Sequence, residues 1–256
     1  MGCSHDTDIE KEKKTESKPT EKTVNSKEHK EKPKNETKKK QEPKYTINEN
    51  NWTIEPIDKE ADGKVVLLTI DDAPDQYAVD MAKTLKDLKV PAIFFVNGHF
   101  LETTEDEKNL KEIHNMGFDI GNHTYSHKSL PDLTKDEQRE EILKVNKQVE
   151  NTIGYKPSFF RAPFGQNTNI SRDIVKKENM KLMNWTFGYD WETEYQSKDA
   201  LLDITLNNEF LNDGSNILMH DREWTNAALK DIVKGLKKKG YKFVDPKEIK
   251  GYSESK

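Results

Sequence analysis

The sequence predicts an α/β fold, a barrel of parallel strands that follows a disordered N-terminal linker. From residue 64 to residue 246, seven apolar segments alternate with amphipathic ones. This alternation predicts parallel strands with right-handed crossovers, which fit an open sheet or a barrel. Unusual polar residues end the apolar segments, and the carboxyl ends of barrel strands meet at one mouth. In an open sheet these polar residues would spread along one edge. Their number therefore favours a barrel. These residues are Asp71, Asp72, His123, Arg161, Asp190 and His220.

Residues 1–55 are predicted to form a disordered linker before a domain at 60–250. Residues 1–50 hold 13 Lys and 11 acidic residues, with no aromatic residue before Tyr45. Such a segment cannot bury enough apolar surface to offset the entropy lost on ordering. The whole chain has a net charge of −5, and the Lys excess of the linker leaves the domain still more acidic. We therefore expect no nucleic-acid partner.

Cys3 is the only cysteine, so an intramolecular disulfide is excluded. No apolar run approaches the roughly 20 residues of a membrane span. MGCS resembles the mature end of a bacterial lipoprotein, with Met1 and Gly2 in place of a signal peptide. N-myristoylation fits less well, because Asp6 stands where that pattern has Ser or Thr. We expect a lipid on Cys3 that anchors the protein at the extracellular face of the membrane or the cell wall, as its only membrane contact.

The strands are predicted from apolar runs. KVVLLTIDD, at 64–72, is rich in Val, Leu and Ile, as is typical of a strand buried on both faces. The other strands are predicted at 91–98, 118–123, 157–163, 181–187, 215–221 and 241–246.

The helices are predicted from apolar stripes at helical spacing and from capping residues. Val79, Leu85 and Leu88 share one stripe. Thr134 and Glu137 form a capping box. The predicted helices are 77–88, 104–116, 134–153, 170–179, 198–211 and 224–238.

Acidic and imidazole groups together indicate a metal site. Asp71 and Asp72 repel each other at a strand end and need positive compensation, although the same residues are also typical of a solvated turn. His123 and His127, in GNHTYSH, are spaced to lie on one face of a helical turn and share an ion; the alternative is a polar turn. A carboxylate would complete a His-His-Asp set suited to zinc or a related divalent ion.

Two further strand ends carry one charged or titratable group each. Arg161, in FFRAPFG, needs an anion, and an acid beside the metal is the obvious partner. His220, in NILMHD, is either a functional group or a hydrogen-bonded core histidine. Four such strand ends in one chain favour a functional site.

The motifs together resemble the polysaccharide deacetylases of the NodB homology family, carbohydrate esterase family 4. TIDDAPD is similar to T-F-D-D-G-P, HTYSH to H-S/T-x-x-H, and RAPFG to R-x-P-x-G/Y. YDW matches part of D-x-x-D-W, and LMH matches L-x-H. All five occur in the order of the family over residues 64–246.

This resemblance implies a distorted, TIM-like barrel of seven or eight βα units that removes N-acetyl groups from an N-acetylhexosamine polymer. It also implies a divalent metal, zinc first, with cobalt or nickel as alternatives. By motif position, the implied metal ligands are Asp72, His123 and His127. Asp71 is the implied general base, held ionised by Arg161.

The resemblance assigns the remaining roles as well. His220 is the implied general acid, and the Phe164 backbone N–H is an implied oxyanion donor. Trp191 and Leu218 would form an apolar slot for the acetyl methyl, with plain core packing as the alternative. The sequence departs from the family pattern at Ala73, where the family has Gly, and at the first Asp of D-x-x-D-W. That acid pairs with the catalytic histidine in the family, so here either His220 is a weaker acid or Asp190 replaces it.

The resulting hypothesis is a monomeric, surface-anchored, metal-dependent deacetylase of cell-wall glycan, with peptidoglycan N-acetylglucosamine as substrate. Poly-N-acetylglucosamine exopolysaccharide and chitin-like oligomers are alternative substrates. A glycan-binding domain with weak or lost catalysis is a hypothesis of another class, motivated by the missing acid. A third is a structural barrel without metal.

Overall fold

The computed structural model describes residues 1–2 and 42–252. Cys3 and the predicted linker up to residue 41 lie outside the described residues, so the lipid anchor and the disorder stay predictions. Within residues 42–252, none of the helices combines the length and apolar character that crossing a membrane requires.

Nine strands and six α-helices occur within residues 42–252. The strands are β1 (Tyr45–Ile47), β2 (Ile54–Pro56), β3 (Val65–Ala73), β4 (Ile93–Val96), β5 (Asp119–Asn122), β6 (Phe159–Phe160), β7 (Lys181–Leu182), β8 (Ser215–His220) and β9 (Lys242–Phe243). The helices are α1 (Ala78–Asp87), α2 (Thr104–Asn115), α3 (Lys135–Ile153), α4 (Asn169–Lys177), α5 (Lys198–Asn207) and α6 (Glu223–Lys238). Each predicted strand and helix is present, although β6, β7 and β9 are shorter than predicted.

Seven strands form one parallel sheet that curls into the predicted barrel. The path is β7-β6-β5-β4-β3-β8, and β9 pairs with the first residues of β3. Beyond β7, Phe187 forms a parallel bridge to Ile217 of β8, and Thr186 N donates to Asn216 O at 2.9 Å. These contacts bring the two ends of the path together.

The side chains of β3 alternate between two apolar environments. Val66, Leu68 and Ile70 pack with residues of the outer helices. Val65 and Leu67 face the barrel interior and pack with side chains of β4 and β6. Both faces of a central barrel strand are buried, which explains the continuous apolar run in the sequence.

The N-terminal end of the barrel is covered by a hairpin that the linker prediction missed. β1 and β2 are antiparallel, and the side chains of Tyr45, Ile47 and Ile54 are buried against the interior cluster. Ile54 N donates to Gly214 O at 2.8 Å, and Lys250 N donates to Tyr45 O at 2.7 Å. The boundary predicted at residue 55 is therefore wrong, because these three apolar residues fold onto the barrel.

Candidate metal centre and active site

Asp71 and Asp72 both reach the site because the end of β3 is irregular. Successive residues of a regular strand point to opposite faces. Here the pairing with β4 shifts between Ile70 and Ala73, and Asp72 adopts a left-handed φ of 58°. The bulge turns the second carboxylate toward the mouth, while Asp71 stays in register opposite His220 of β8. Ala73, which stands where the family has Gly, is not among the positive-φ residues.

His123 and His127 follow β5 in a loop rather than in the predicted helical turn. Thr124 and His127 have left-handed φ values of 66° and 55°, so the loop reverses tightly. The two rings meet edge to face with their centroids 4.9 Å apart. The expectation that the rings converge holds, but the helical geometry assigned to it was wrong.

Asp72, His123 and His127 form the one His/Asp/Glu/Cys cluster with metal-binding geometry within residues 42–252. One ligand atom from each lies within 4.8 Å of the others. His123 Nδ1 lies 2.8 Å from Arg161 O, a carbonyl that can only accept, so Nδ1 carries the proton and Nε2 is left for a ligand. Nε2 in turn lies 3.9 Å from Asp72 Oδ1.

The charge states of these groups suit a divalent cation. Burial, reinforced by the charge of His123, lowers the pKa of His127 and favours the neutral imidazole that metals bind. Burial acts to raise the pKa of Asp72, but neighbouring histidines and Arg222 outweigh it, so this pKa lies below its ordinary value. One carboxylate and two imidazoles are a donor set for zinc or a similar ion, with positions left open for other ligands.

Arg161 lies fully buried beneath Asp71, as the sequence predicted. Its Nη1 donates to Asp71 Oδ1 at 2.6 Å and to Thr69 Oγ1 at 2.9 Å, and Nη2 donates to Asn184 O at 2.8 Å. Its guanidinium carbon lies 4.3 Å from the ring centroid of Phe95. Burial lowers the pKa of Arg161, while the charge of Asp71 opposes that fall. The pair fixes one Asp71 oxygen and leaves the other facing His123 Nε2 at 3.4 Å.

His220 is paired with Asp190, the acid named as a replacement for the missing one. His220 Nδ1 lies 2.7 Å from Asp190 Oδ1, and His220 N donates to Asp190 Oδ2 at 2.6 Å. Thr225 Oγ1 also donates to Oδ2, at 2.7 Å. Burial opposes the charged form of His220, but the charge and hydrogen bond of Asp190 outweigh it and raise the pKa of His220.

The position of the absent acid does not face the site. Phe187 stands there, and its side chain is buried in the cluster between the barrel and the helices. An acid would be an unfavourable choice in that apolar setting, because burying an unpaired charge is costly. Of the two alternatives for His220, the structure therefore supports replacement of the missing acid by Asp190.

Two aromatic residues border the open side of the site, and one apolar residue lies at its base. Trp191 is 44% exposed and Phe164 is 62% exposed, whereas Leu218 is buried at the base. The Phe164 ring meets His127 edge to face, and the Trp191 ring does the same with His220. A Cβ on Gly188 would lie 2.5 Å from Leu218 O and 2.8 Å from the Trp191 ring, so this close approach requires glycine.

One pocket of about 360 Å³ joins nine of the ten predicted site residues, and Arg161 supports it from below. Two lining residues were missed by the sequence analysis, Trp185 and Arg222. Arg222 Nη2 donates to Asp72 Oδ2 at 2.8 Å. The adjacent acids had indicated a need for positive compensation, and Arg222 follows directly after the LMHD segment. Trp185 lies in the segment predicted as a strand and carried no signal of its own.

Asp221 was also missed, and it ties β8 to the loop after Asp72. This buried carboxylate accepts hydrogen bonds from the backbone N–H groups of Asp75, Tyr77 and Ala78 at 2.7, 2.6 and 3.0 Å. Burial raises the pKa of Asp221, and these bonds act in the opposite direction. The contact fixes the loop after β3 against the strand that carries His220.

Comparison with known proteins gives consistent matches. The model of the polysaccharide deacetylase family matches residues 58–183. A peptidoglycan-N-acetylglucosamine deacetylase from Bacillus cereus is 35% identical over 187 residues, which is 70% of this chain and 66% of that protein. The matches span 30% to 50% of the length of several other curated relatives.

Solved structures agree in fold. The Bc1960 peptidoglycan N-acetylglucosamine deacetylase is 32% identical, with a TM-score of 0.68 over 76% of this chain and 92% of that one. A pseudoenzyme of carbohydrate esterase family 4 from Bacillus anthracis is 28% identical, with a TM-score of 0.66 over 73% of this chain and 65% of that one. A mutant of that pseudoenzyme has restored enzymatic activity, so membership of the family does not by itself guarantee turnover. From its motifs, its barrel and these matches, the chain belongs to the polysaccharide deacetylases of carbohydrate esterase family 4.

Proposed function

We propose that this chain is a metal-dependent hydrolase that removes N-acetyl groups from N-acetylglucosamine residues of peptidoglycan. The observation that supports it most is one pocket holding a divalent-cation donor set, a buried carboxylate and a histidine with a raised pKa. We propose Zn²⁺ as the cation, with Co²⁺ or Ni²⁺ as substitutes, and a monomeric protein attached through Cys3 at the cell surface. The named activity of the Bacillus cereus relatives supports peptidoglycan as the polymer.

In this proposal Asp71 is the general base. Asp72, His123 and His127 would hold a divalent cation, which would supply polarisation of the acetyl carbonyl and a lowered pKa of water. Arg161 holds one Asp71 oxygen at 2.6 Å, so the other oxygen can take a proton from the attacking water. The buried guanidinium also places a positive charge beside this carboxylate and fixes its orientation. The Phe164 backbone N–H is the proposed donor to the oxyanion.

His220 is the proposed general acid. Its Nδ1 is held by Asp190, so Nε2 is the nitrogen that can give a proton to the leaving amine. The raised pKa of His220 extends to higher pH the range in which that proton is held. Trp191 and Leu218 would hold the acetyl methyl, which orients the carbonyl between the two proton-transfer groups.

The function is tested by acetate release from three substrates with Zn²⁺ or Co²⁺ supplied. These are purified peptidoglycan, chitin-like N-acetylglucosamine oligomers and poly-N-acetylglucosamine. We expect acetate from peptidoglycan at the highest kcat/KM; a preference for either other polymer would identify the alternative substrate. Binding of a glycan without acetate release would instead indicate a glycan-binding domain. The Bacillus anthracis pseudoenzyme motivates this alternative.

The pH dependence of turnover tests the role of Asp190. Because His220 must be protonated, activity should persist below the raised pKa of His220 and fall as pH rises through it. Asp190→Asn removes the main group that raises this pKa, so the alkaline limb of the kcat/KM profile should move to lower pH. Asp199→Asn, at an exposed position in the first turn of α5, is the control. An unchanged alkaline limb in Asp190→Asn would show that His220 is not the acid.

A further inference from the structure

A buried carboxylate that has no proposed catalytic role holds the loop that carries His123 and His127. Glu141, on α3, is 8% exposed. Its Oε2 accepts from Ser126 N at 2.8 Å, and its Oε1 accepts from Ser126 Oγ at 2.5 Å. Each oxygen of one carboxylate is thus used by the residue that directly precedes His127.

This loop needs support from outside because its own backbone is unfavourable. Thr124 and His127 both lie in the left-handed region, which non-glycine residues, and β-branched ones above all, rarely adopt. Such conformations cost about 1–3 kcal/mol each and persist only where the surrounding structure determines them. The contacts that hold the loop therefore decide where the two imidazoles lie.

The first half of the loop is held by neighbouring strand ends. Asn97 Nδ2 donates to His123 O at 2.6 Å, and Thr124 N donates to Asn122 Oδ1 at 2.8 Å. The His123 ring is fixed separately by its contact with Arg161 O. These contacts account for one of the two histidines.

His127 lacks a comparable hydrogen bond. Its Nε2 lies 3.7 Å from Asp72 Oδ1, its ring meets the rings of His123 and Phe164 at centroid distances of 4.9 Å each, and no hydrogen bond to it is found within residues 42–252. Ser126 is the last anchored residue before it, and the anchor is Glu141. The placement of His127 therefore depends on this carboxylate.

We infer that Glu141 is a positioning residue of the metal centre, acting on His127 through Ser126. The inference rests on the proposed function, because His127 is a metal ligand only there. A carboxylate is suited to the task, since its two oxygens accept from both Ser126 donors. Glutamine keeps the shape but has one accepting oxygen, so one donor would face an NH₂ group. Charged acceptors also make stronger hydrogen bonds than neutral ones.

The test is a cation titration of metal-free protein. Glu141→Gln should lower the affinity for Zn²⁺ or Co²⁺ by about 10- to 100-fold, the usual cost of losing a group that orients a ligand. Glu140→Gln is the matched control, because this neighbour on α3 is exposed and loses the same charge. The absorption spectrum of bound Co²⁺ should also change in Glu141→Gln alone, which a purely structural role of Glu141 would not produce.

Ser126→Ala provides a second variant that keeps the carboxylate and removes one of its two donors. It should lower the affinity by less than Glu141→Gln does, and it decides the question if Glu141→Gln fails to fold. The inference would be overturned if the cation affinity of Glu141→Gln, or of Ser126→Ala where Glu141→Gln does not fold, lies within about twofold of that of Glu140→Gln. Loss of a group that orients a ligand costs more than that. Failure of the wild-type protein to bind any divalent cation would instead overturn the proposed function, and the inference with it.

Discussion

Asp71→Asn is expected to lower kcat by about 10²- to 10⁴-fold, the usual contribution of a general base. Asn cannot accept the proton of the attacking water, and it is nearly the same size as Asp. Cation affinity should stay close to that of the wild type, because Asp71 lies beside the Asp72–His123–His127 cluster and is not part of it. The measurement is acetate release at saturating Zn²⁺, together with a Zn²⁺ titration.

The neighbouring carboxylate supplies the matched comparison. Asp72→Asn changes the same group one residue along the chain, and it should lose cation affinity, because Asp72 is the only carboxylate of the cluster. Asp80→Asn, at an exposed site on α1, should change neither kcat nor the cation affinity. Full turnover in Asp71→Asn would contradict the assignment of the base. Loss of the cation in Asp71→Asn would place Asp71 among the ligands.

Arg161→Met is expected to lower the free energy of unfolding by about 3–5 kcal/mol, the usual cost of removing one partner of a buried ion pair. Arg161 is fully buried and Asp71 is 1% exposed, so the remaining carboxylate would keep little access to water. Thr69 Oγ1 and Asn184 O would also lose a donor. The measurement is urea unfolding of both proteins with a chelator present, so that cation binding does not contribute.

Arg172→Met is the control for this comparison. Arg172 forms an exposed ion pair with Glu49 at 3.6 Å, and such pairs contribute about 0–1 kcal/mol. Equal decreases in the free energy of unfolding of Arg161→Met and Arg172→Met would contradict the prediction. They would mean that Arg161 does not stabilise the charge of Asp71.

Much of the barrel could be predicted because its strands and helices have clear periodicity. The hairpin of β1 and β2 could not. Tyr45, Ile47 and Ile54 are too few and too widely spaced to indicate strands beside a Lys-rich segment. Their burial depends on the barrel end that they cover, and a local pattern does not contain that information.

The site was predictable where a motif carries the chemistry and less so where a contact crosses the chain. The motifs predicted that Asp72, His123 and His127 lie together and that Arg161 contacts an acid, and the structure has both contacts. The spacing of His123 and His127 fits a helical turn and a left-handed loop equally well, so spacing alone does not distinguish them, and the structure has the loop. Arg222 and Glu141 act through residues 150 and 15 positions away, and no motif indicates such pairs.

The central claim is that turnover depends on a cation held by Asp72, His123 and His127. The most direct test removes the cation with a chelator, restores one equivalent of Zn²⁺, and follows acetate release from peptidoglycan in the wild type and in His127→Ala. We expect acetate release by the wild type to stop with the chelator and to return with Zn²⁺, and we expect the same equivalent of Zn²⁺ not to restore it in His127→Ala. Acetate release that continues without the cation, or that returns equally in the wild type and in His127→Ala, would contradict this role of the cation and its ligands.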